Sequence, residues 1–192
     1  MKLKSILLVA MAVASVPAFA HFETYYGVLS GANEVPANSS PATGWARVTL
    51  DLDLFTMRVE AQFSGLTGNT TASHIHAGNG PGTNGGVVTT LPSFPGFPLG
   101  VTSGTYDNTF DMALASSYNP TYIANNGGTV STAFNAFRSK LLLGHAYYNI
   151  HTTTYGGGEL RANLQAVPEP GTMIAVGAGL AGIAARKRRK KA

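Results

Sequence analysis

Apolar and polar residues alternate through the middle of the chain. In Trp45–Leu52, Ala46, Val48, Leu50 and Leu52 alternate with Trp45, Arg47, Thr49 and Asp51; in Met57–Phe63, Met57, Val59, Ala61 and Phe63 alternate with Arg58, Glu60 and Gln62. A period of two is that of a strand with one buried face. Asp53–Thr56 between them then forms a hairpin connection. Thr24–Leu29 is aromatic and β-branched, and Ala72–Ala77, Ala146–Thr152 and Glu159–Ala166 read as further short strands. Short antiparallel strands at this spacing predict an all-β sandwich or barrel. One stretch has the helical period: Val130, Ala133, Phe134, Phe137 and Leu141 predict a helix over Val130–Leu143, lying over one end of the β domain and stopped by Gly144. Residues 77–100 hold seven glycines and four prolines and predict a long loop.

The two ends have a different pattern. Lys2 and Lys4 precede the apolar run Ile6–Val16 and the sequence Ala18-Phe19-Ala20. This is the layout of a secretory signal peptide over residues 1–20, with cleavage after Ala20 leaving His21 as the new N-terminus. At the other end, Val167-Pro168-Glu169-Pro170-Gly171 is followed by apolar Met173–Ala185 and then by six basic residues, Arg186–Lys191. Thirteen helical residues reach only ~20 Å, short of a hydrocarbon core of ~30 Å. Residues 172–185 thus predict a short transmembrane helix, a marginal anchor with its basic end in the cytoplasm. The order Pro-Glu-Pro, short apolar stretch, basic end resembles the PEP-CTERM sorting tail of exported Gram-negative proteins. The resemblance implies an exosortase-type sorting protease or transpeptidase as partner. It also implies tail removal near Pro168–Gly171, and passage from the inner membrane to the cell surface or extracellular matrix. The organisation is therefore a signal peptide (1–20), one β domain (21–166) and a sorting tail (167–192).

These segments change the meaning of the charge. The whole chain carries 13 Lys and Arg against 9 Asp and Glu, but Lys2, Lys4 and Arg186–Lys191 belong to the targeting ends. Residues 21–166 keep Arg47, Arg58, Arg138, Lys140 and Arg161 against eight carboxylates, a net charge of −3. Such a domain has no basic footprint for nucleic acid. The chain has no cysteine, so its core alone must hold it, without disulfides or zinc thiolates.

Four segments carry a further resemblance: Leu29-Ser30-Gly31-Ala32-Asn33-Glu34-Val35-Pro36, His74-Ile75-His76-Ala77-Gly78, Gly144-His145-Ala146-Tyr147-Tyr148-Asn149-Ile150-His151-Thr152, and Gly158-Glu159-Leu160-Arg161-Ala162-Asn163-Leu164. In this order they resemble the CHRD domain, named for chordin, over roughly residues 23–166. Ala37 stands where a second proline is common, and Tyr148 where valine is common. The resemblance implies an immunoglobulin-like or superoxide-dismutase-like sandwich or barrel and supplies no settled activity.

Candidate chemistry rests on the histidines. Alternate residues of a strand share a face, so His74 and His76 point together while Ile75 enters the core. By the same parity Ala146, Tyr148 and Ile150 face inward, and His145, Tyr147, Asn149 and His151 face outward with Glu159 and Arg161. Neighbouring strands would make a polar patch on the outer face. His74, His76 and His151, with His145 ranked behind them, form a candidate copper or zinc ligand set. The alternative is a hydrogen-bonded network of His76, His151, Asn149, Glu159 and the glycine-rich loop. The His-x-His pair is similar to the copper arm of superoxide dismutases, a likeness of architecture that carries no function alone. His21 as a mature N-terminal copper chelator has only its predicted cleavage site behind it. No Gly-x-Ser-x-Gly, His-Glu-x-x-His, EF-hand loop or phosphate-cradling Gly-Lys-Ser/Thr occurs. Three function classes remain, in order: a non-enzymatic surface or matrix module touching exopolysaccharide or surface proteins through Phe94, Phe97 and Tyr147; a copper- or zinc-binding module; and, last, a dismutase-like or oxidative enzyme.

Overall fold

The computed structural model describes residues 21–168. Ala18 and Ala20 of the predicted signal peptide, Glu169, Pro170 and Gly171 of the sorting motif, and the predicted membrane segment 172–185 lie outside the described residues. Among the described residues no helix is long and apolar enough to cross a membrane.

The alternating segments form strands as expected: β1 Phe22–Ser30, β2 Thr43–Asp51, β3 Thr56–Ser64, β4 Thr70–Ala77 and β7 Ala146–Thr152. The last predicted strand is divided at Leu164 into β8 Leu160–Asn163 and β9 Gln165–Val167. Two strands were not legible in the sequence, the short β5 Gly86–Val87 and the full-length β6 Gly104–Asp111. In β6 the core-facing Tyr106 and Phe110 are separated by Asn108 and flanked by Gly, Asp and Thr, so turn-forming residue types mask the alternation.

All nine strands join one antiparallel sheet in the order β5-β4-β7-β8-β1-β2-β3-β6, with β9 also paired to β1. The architecture is the barrel alternative, as a single sheet curled into a half-barrel. The β1–β2 ladder runs from Phe22↔Asp51 to Ser30↔Thr43, and β2–β3 continues it to Thr56 and Ser64. This register puts Leu29, Ala46, Val48, Leu50, Met57, Val59, Ala61 and Phe63 inside. On the outer face Arg47 pairs with Glu60, and Arg58 with Glu60 and Asp107. The Arg58–Asp107 pair is exposed on both sides and adds little stability; Glu60 is nearly buried beneath the two arginines.

The open side of the half-barrel, between β4 and β6, is filled by the proline- and glycine-rich loop. Phe94 N–H donates to Ser73 O of β4, and Tyr106 Oη of β6 donates to Pro95 O. Phe94 stacks on Tyr106 and Tyr148, and Phe97 on Phe63. Phe94 is 2%, Phe97 5% and Tyr147 5% exposed. The expectation that these aromatics offer a contact surface is therefore overturned. A half-closed sheet leaves its edge side chains in water, and the loop's rings complete the core instead.

The expected helix is α2, Val130–Leu142, preceded by a six-residue α1, Pro120–Asn125. Thr129 and Thr132 form a reciprocal capping box at the start of α2. Gly144 stops the chain just past it in the left-handed region, φ +67. Ala133, Phe134, Phe137 and Leu141 are buried, Phe134 against Phe55 of the β2–β3 hairpin at 4.3 Å. Arg138 clamps Glu23 of β1 through Nε and Nη2. The helix thus closes the barrel end where β1 begins.

Two outcomes follow from this core. Residues 21–168 expressed alone give a β-dominated far-UV spectrum and one cooperative melt. Within that segment Phe94→Ala costs about 3 kcal/mol or more, as for other buried phenylalanines, whereas Leu54→Ala, at a position 72% exposed, shifts the melt little; equal shifts would show that the loop does not complete the core.

Candidate metal centre

Strand β7 sits between β4 and β8 and is buried on both faces. Its inner side chains, Ala146, Tyr148 and Ile150, enter the core. On the other face the pairs His76↔Tyr147↔Asn163 and His74↔Asn149↔Arg161 run across β4, β7 and β8. Strand parity predicts this alignment. It places the patch in solvent, and there the structure differs: His74 is 6%, His76 9%, Asn149 1% and Arg161 1% exposed. The glycine-rich segments around residues 78–86 and 153–158 fold over the face and cover it.

The cover also orients the rings. His74 Nε2 lies 2.7 Å from Pro92 O, His76 Nδ1 3.1 Å from Gly85 O, and His151 Nδ1 2.9 Å from Gly156 O. A carbonyl only accepts, so each of these nitrogens carries the ring proton. The lone pairs are then left on His74 Nδ1, His76 Nε2 and His151 Nε2. Each of these three atoms is sealed from solvent and has no hydrogen-bond partner. One ligand atom from each residue lies within 4.8 Å of the other two. Burial lowers the pKa of all three rings, that of His76 to about 4, so they stand neutral at pH 7. A buried acceptor without a donor costs free energy; three such nitrogens within reach of one another could hold a metal ion, and the carbonyls that bind the opposite ring nitrogens would then orient its ligands.

The other polar groups divide into separate clusters. Tyr147 stacks on His76 at 5.0 Å, and the Arg161 guanidinium lies over the Tyr147 ring at 3.5 Å. Arg161 donates to Asn163 Oδ1, Asn84 Oδ1 and Thr83 O, none of them a carboxylate. Asn149 donates to Glu34 Oε1 at 2.6 Å and to Leu160 O. Gly158, at φ +132, permits this approach: a Cβ there would meet both Asn149 Nδ2 and Glu34 Oε1 at 2.6 Å. Glu159 does not join the histidines. It accepts from Ser40 Oγ, Thr67 N and Oγ1, and Thr152 Oγ1, tying three chain segments at the barrel end opposite α2. Burial works to raise its pKa, but those hydrogen bonds outweigh it and hold the carboxyl below its ordinary range.

His145 lies outside the trio, between Gly144 and the first residue of β7, where its carbonyl accepts from Gly78 N–H. His21 is remote from it: its backbone N–H and Nδ1 reach Asp53 at 3.0 and 3.3 Å. Sequence reasoning did not single out Glu34. Its only signal was the polar pair Asn33-Glu34 between the apolar end of β1 and Pro36.

A model of the CHRD domain matches residues 25–164, and the PEP-CTERM protein-sorting motif matches residues 166–190. The chain belongs to the CHRD domain family. Its four motif segments now have physical roles in this CHRD domain. Asn33 Nδ2 bonds the backbone of Val28 and Arg161, Glu34 holds Asn149, the His-x-His pair supplies two of the three facing rings, and Glu159 with Arg161 supplies the two buried charges of the last motif. The sorting motif marks an exported protein processed at the membrane by exosortase-type machinery. Neither the curated proteins nor the solved structures contain a significant match to the chain.

Glu34 gives a pH dependence. Burial pushes its carboxyl up to about 7, against the opposing effects of the Asn149 hydrogen bond and the Arg161 charge. The folded CHRD domain therefore binds a proton that the unfolded chain releases near ~4.3. The stabilisation from that proton is complete below ~4.3 and is lost as pH rises through about 7. Glu34→Gln, which imitates the protonated form, should match the wild type near pH 5 and exceed its stability near pH 8.5 by on the order of 2 kcal/mol. Denaturant melts across that range check this; a constant difference at both pH values would contradict it.

Proposed function

We propose that this CHRD protein is an exported, non-catalytic envelope module that holds one copper or zinc ion between His74, His76 and His151. The observation that carries the reading is the convergence of three sealed, unpartnered ring nitrogens, each turned to the centre by a loop carbonyl on the opposite ring nitrogen. Imidazole nitrogen suits both metals. Holding, as opposed to turnover, is supported by the donors' lack of contact with solvent, which leaves a substrate no direct path to the ion. The sorting tail supports display at the Gram-negative cell surface or in the extracellular matrix, after a transient stay in the inner membrane.

A ligand that binds only the folded state stabilises it by about 2.7 kcal/mol at 100 times its dissociation constant. Copper or zinc should raise the thermal stability of the purified protein accordingly, with one ion per chain by elemental analysis. His76→Ala should abolish the gain and His145→Ala should keep it; a melt indifferent to both metals would reject the site.

Tail processing has its own readout. Mass spectrometry of the native protein should show a mature chain beginning at His21 and lacking Arg186–Lys191; a surface form that retains those basic residues would reject cleavage.

A further inference from the structure

We infer that the three-histidine site is built for copper in the monovalent state, Cu(I), in preference to Zn(II) or Cu(II). This rests on the metal-binding reading above and specifies the ion by charge and coordination number.

Coordination number is the first argument. Among the described residues the cluster offers three donors: no fourth His or carboxylate joins His74, His76 and His151. Zinc in proteins takes four ligands, and a site with three protein donors completes the set with water or substrate. Cu(II) prefers a tetragonal set of nitrogen and oxygen donors. Here the donor atoms are sealed from solvent, so a water ligand has no ready place. Cu(I) shares with Zn(II) a filled d shell and no ligand-field geometry, but its single charge makes it the weaker Lewis acid, so it is satisfied by a trigonal set of three neutral nitrogens where Zn(II) still draws a fourth ligand.

Charge is the second argument. The three ligands are neutral, because each ring proton is committed to a loop carbonyl. No carboxylate touches them; Glu34 reaches Asn149 and Glu159 is tied to Ser40, Thr67 and Thr152. The permanently charged neighbour in the same buried layer is Arg161, stacked on Tyr147, which is itself stacked on His76; the Glu34 carboxyl beyond Asn149, pushed up to about 7 by burial, offsets that charge only in part at neutral pH. Arg161 is 1% exposed and bonded to neutral oxygens alone. A second positive charge beside it is costly where the dielectric is low, and the cost rises in proportion to the ion's charge. A monovalent ion is therefore the least penalised of the candidates.

The full chain, purified in detergent, can be titrated anaerobically with Cu(I) against a chromophoric Cu(I) chelator, and separately with Zn(II) and Cu(II). The expected result is one Cu(I) per chain, held in the presence of excess zinc, with the melt raised by Cu(I) far more than by Zn(II). Binding should be lost in His76→Ala and in His151→Gln. X-ray absorption on the wild-type protein should show three nitrogen scatterers and no fourth ligand, a readout independent of how the variants fold. Zinc binding as tightly as Cu(I), or a four-coordinate ion, would overturn the preference while leaving the three-histidine metal site intact. Binding of none of the three ions would overturn both.

Discussion

Double-sided burial of β7 is the constraint from which the rest of this CHRD domain follows. A strand covered on one face can turn its polar residues to water; this one cannot. Its core face packs Tyr148 and Ile150 against the loop rings and the barrel interior. Its other face carries Tyr147, Asn149 and His151 under a cover of glycine-rich chain. Every polar atom there must find a partner within the protein or remain a standing cost. Most do: Asn149 takes Glu34 and Leu160 O, and the Tyr147 hydroxyl takes the backbone of Gly85. Among the described residues six buried side-chain atoms have no partner: His145 Nδ1 and the hydroxyls of Tyr122 and Tyr148 stand apart, while the facing nitrogens of His74, His76 and His151 cluster.

The buried charges obey the same constraint in opposite ways. Glu159 stays ionised because four donors converge on it. Arg161 stays buried because Asn163, Asn84 and Thr83 accept its protons and the Tyr147 face receives its charge. Glu34 has fewer donors and responds by holding its proton to a higher pH. One family motif, Gly158 to Arg161, thus joins an anion and a cation that never pair with each other.

Much of this was legible in the sequence, because strand parity is rigid. Alternation in Trp45–Leu52 and Met57–Phe63 fixed which side chains enter the core, and the same rule aligned His74, His76 and His151. What parity cannot reveal is depth. Whether an outward face is wet or covered depends on loops, and the covering segments around 78–86 and 153–158 read as plain glycine-rich connections. The loop aromatics were misjudged for the same reason: nothing local tells Phe94 or Phe97 that a sheet edge lies open beside them. Strand β6 was hidden by its Asn, Asp, Thr and Gly content, and its pairing with β3 overrides those local preferences. The hydrogen bonds that set the ring tautomers come from the Pro92, Gly85 and Gly156 backbones, and no residue type announces a carbonyl.

The pairing of β9 with β1 has a directional consequence. Val167 lies opposite Thr24, so the chain that continues into the sorting motif leaves the barrel beside the start of β1. The row that holds His74 crosses β1 at Ser30, through Asn149 and Arg161. Thr24 and Ser30 are six residues apart on one strand, roughly 20 Å at the rise of an extended chain. The histidine row and the point where the chain leaves for the sorting motif therefore lie toward opposite ends of β1, so whatever the motif engages meets the protein at the end away from His74.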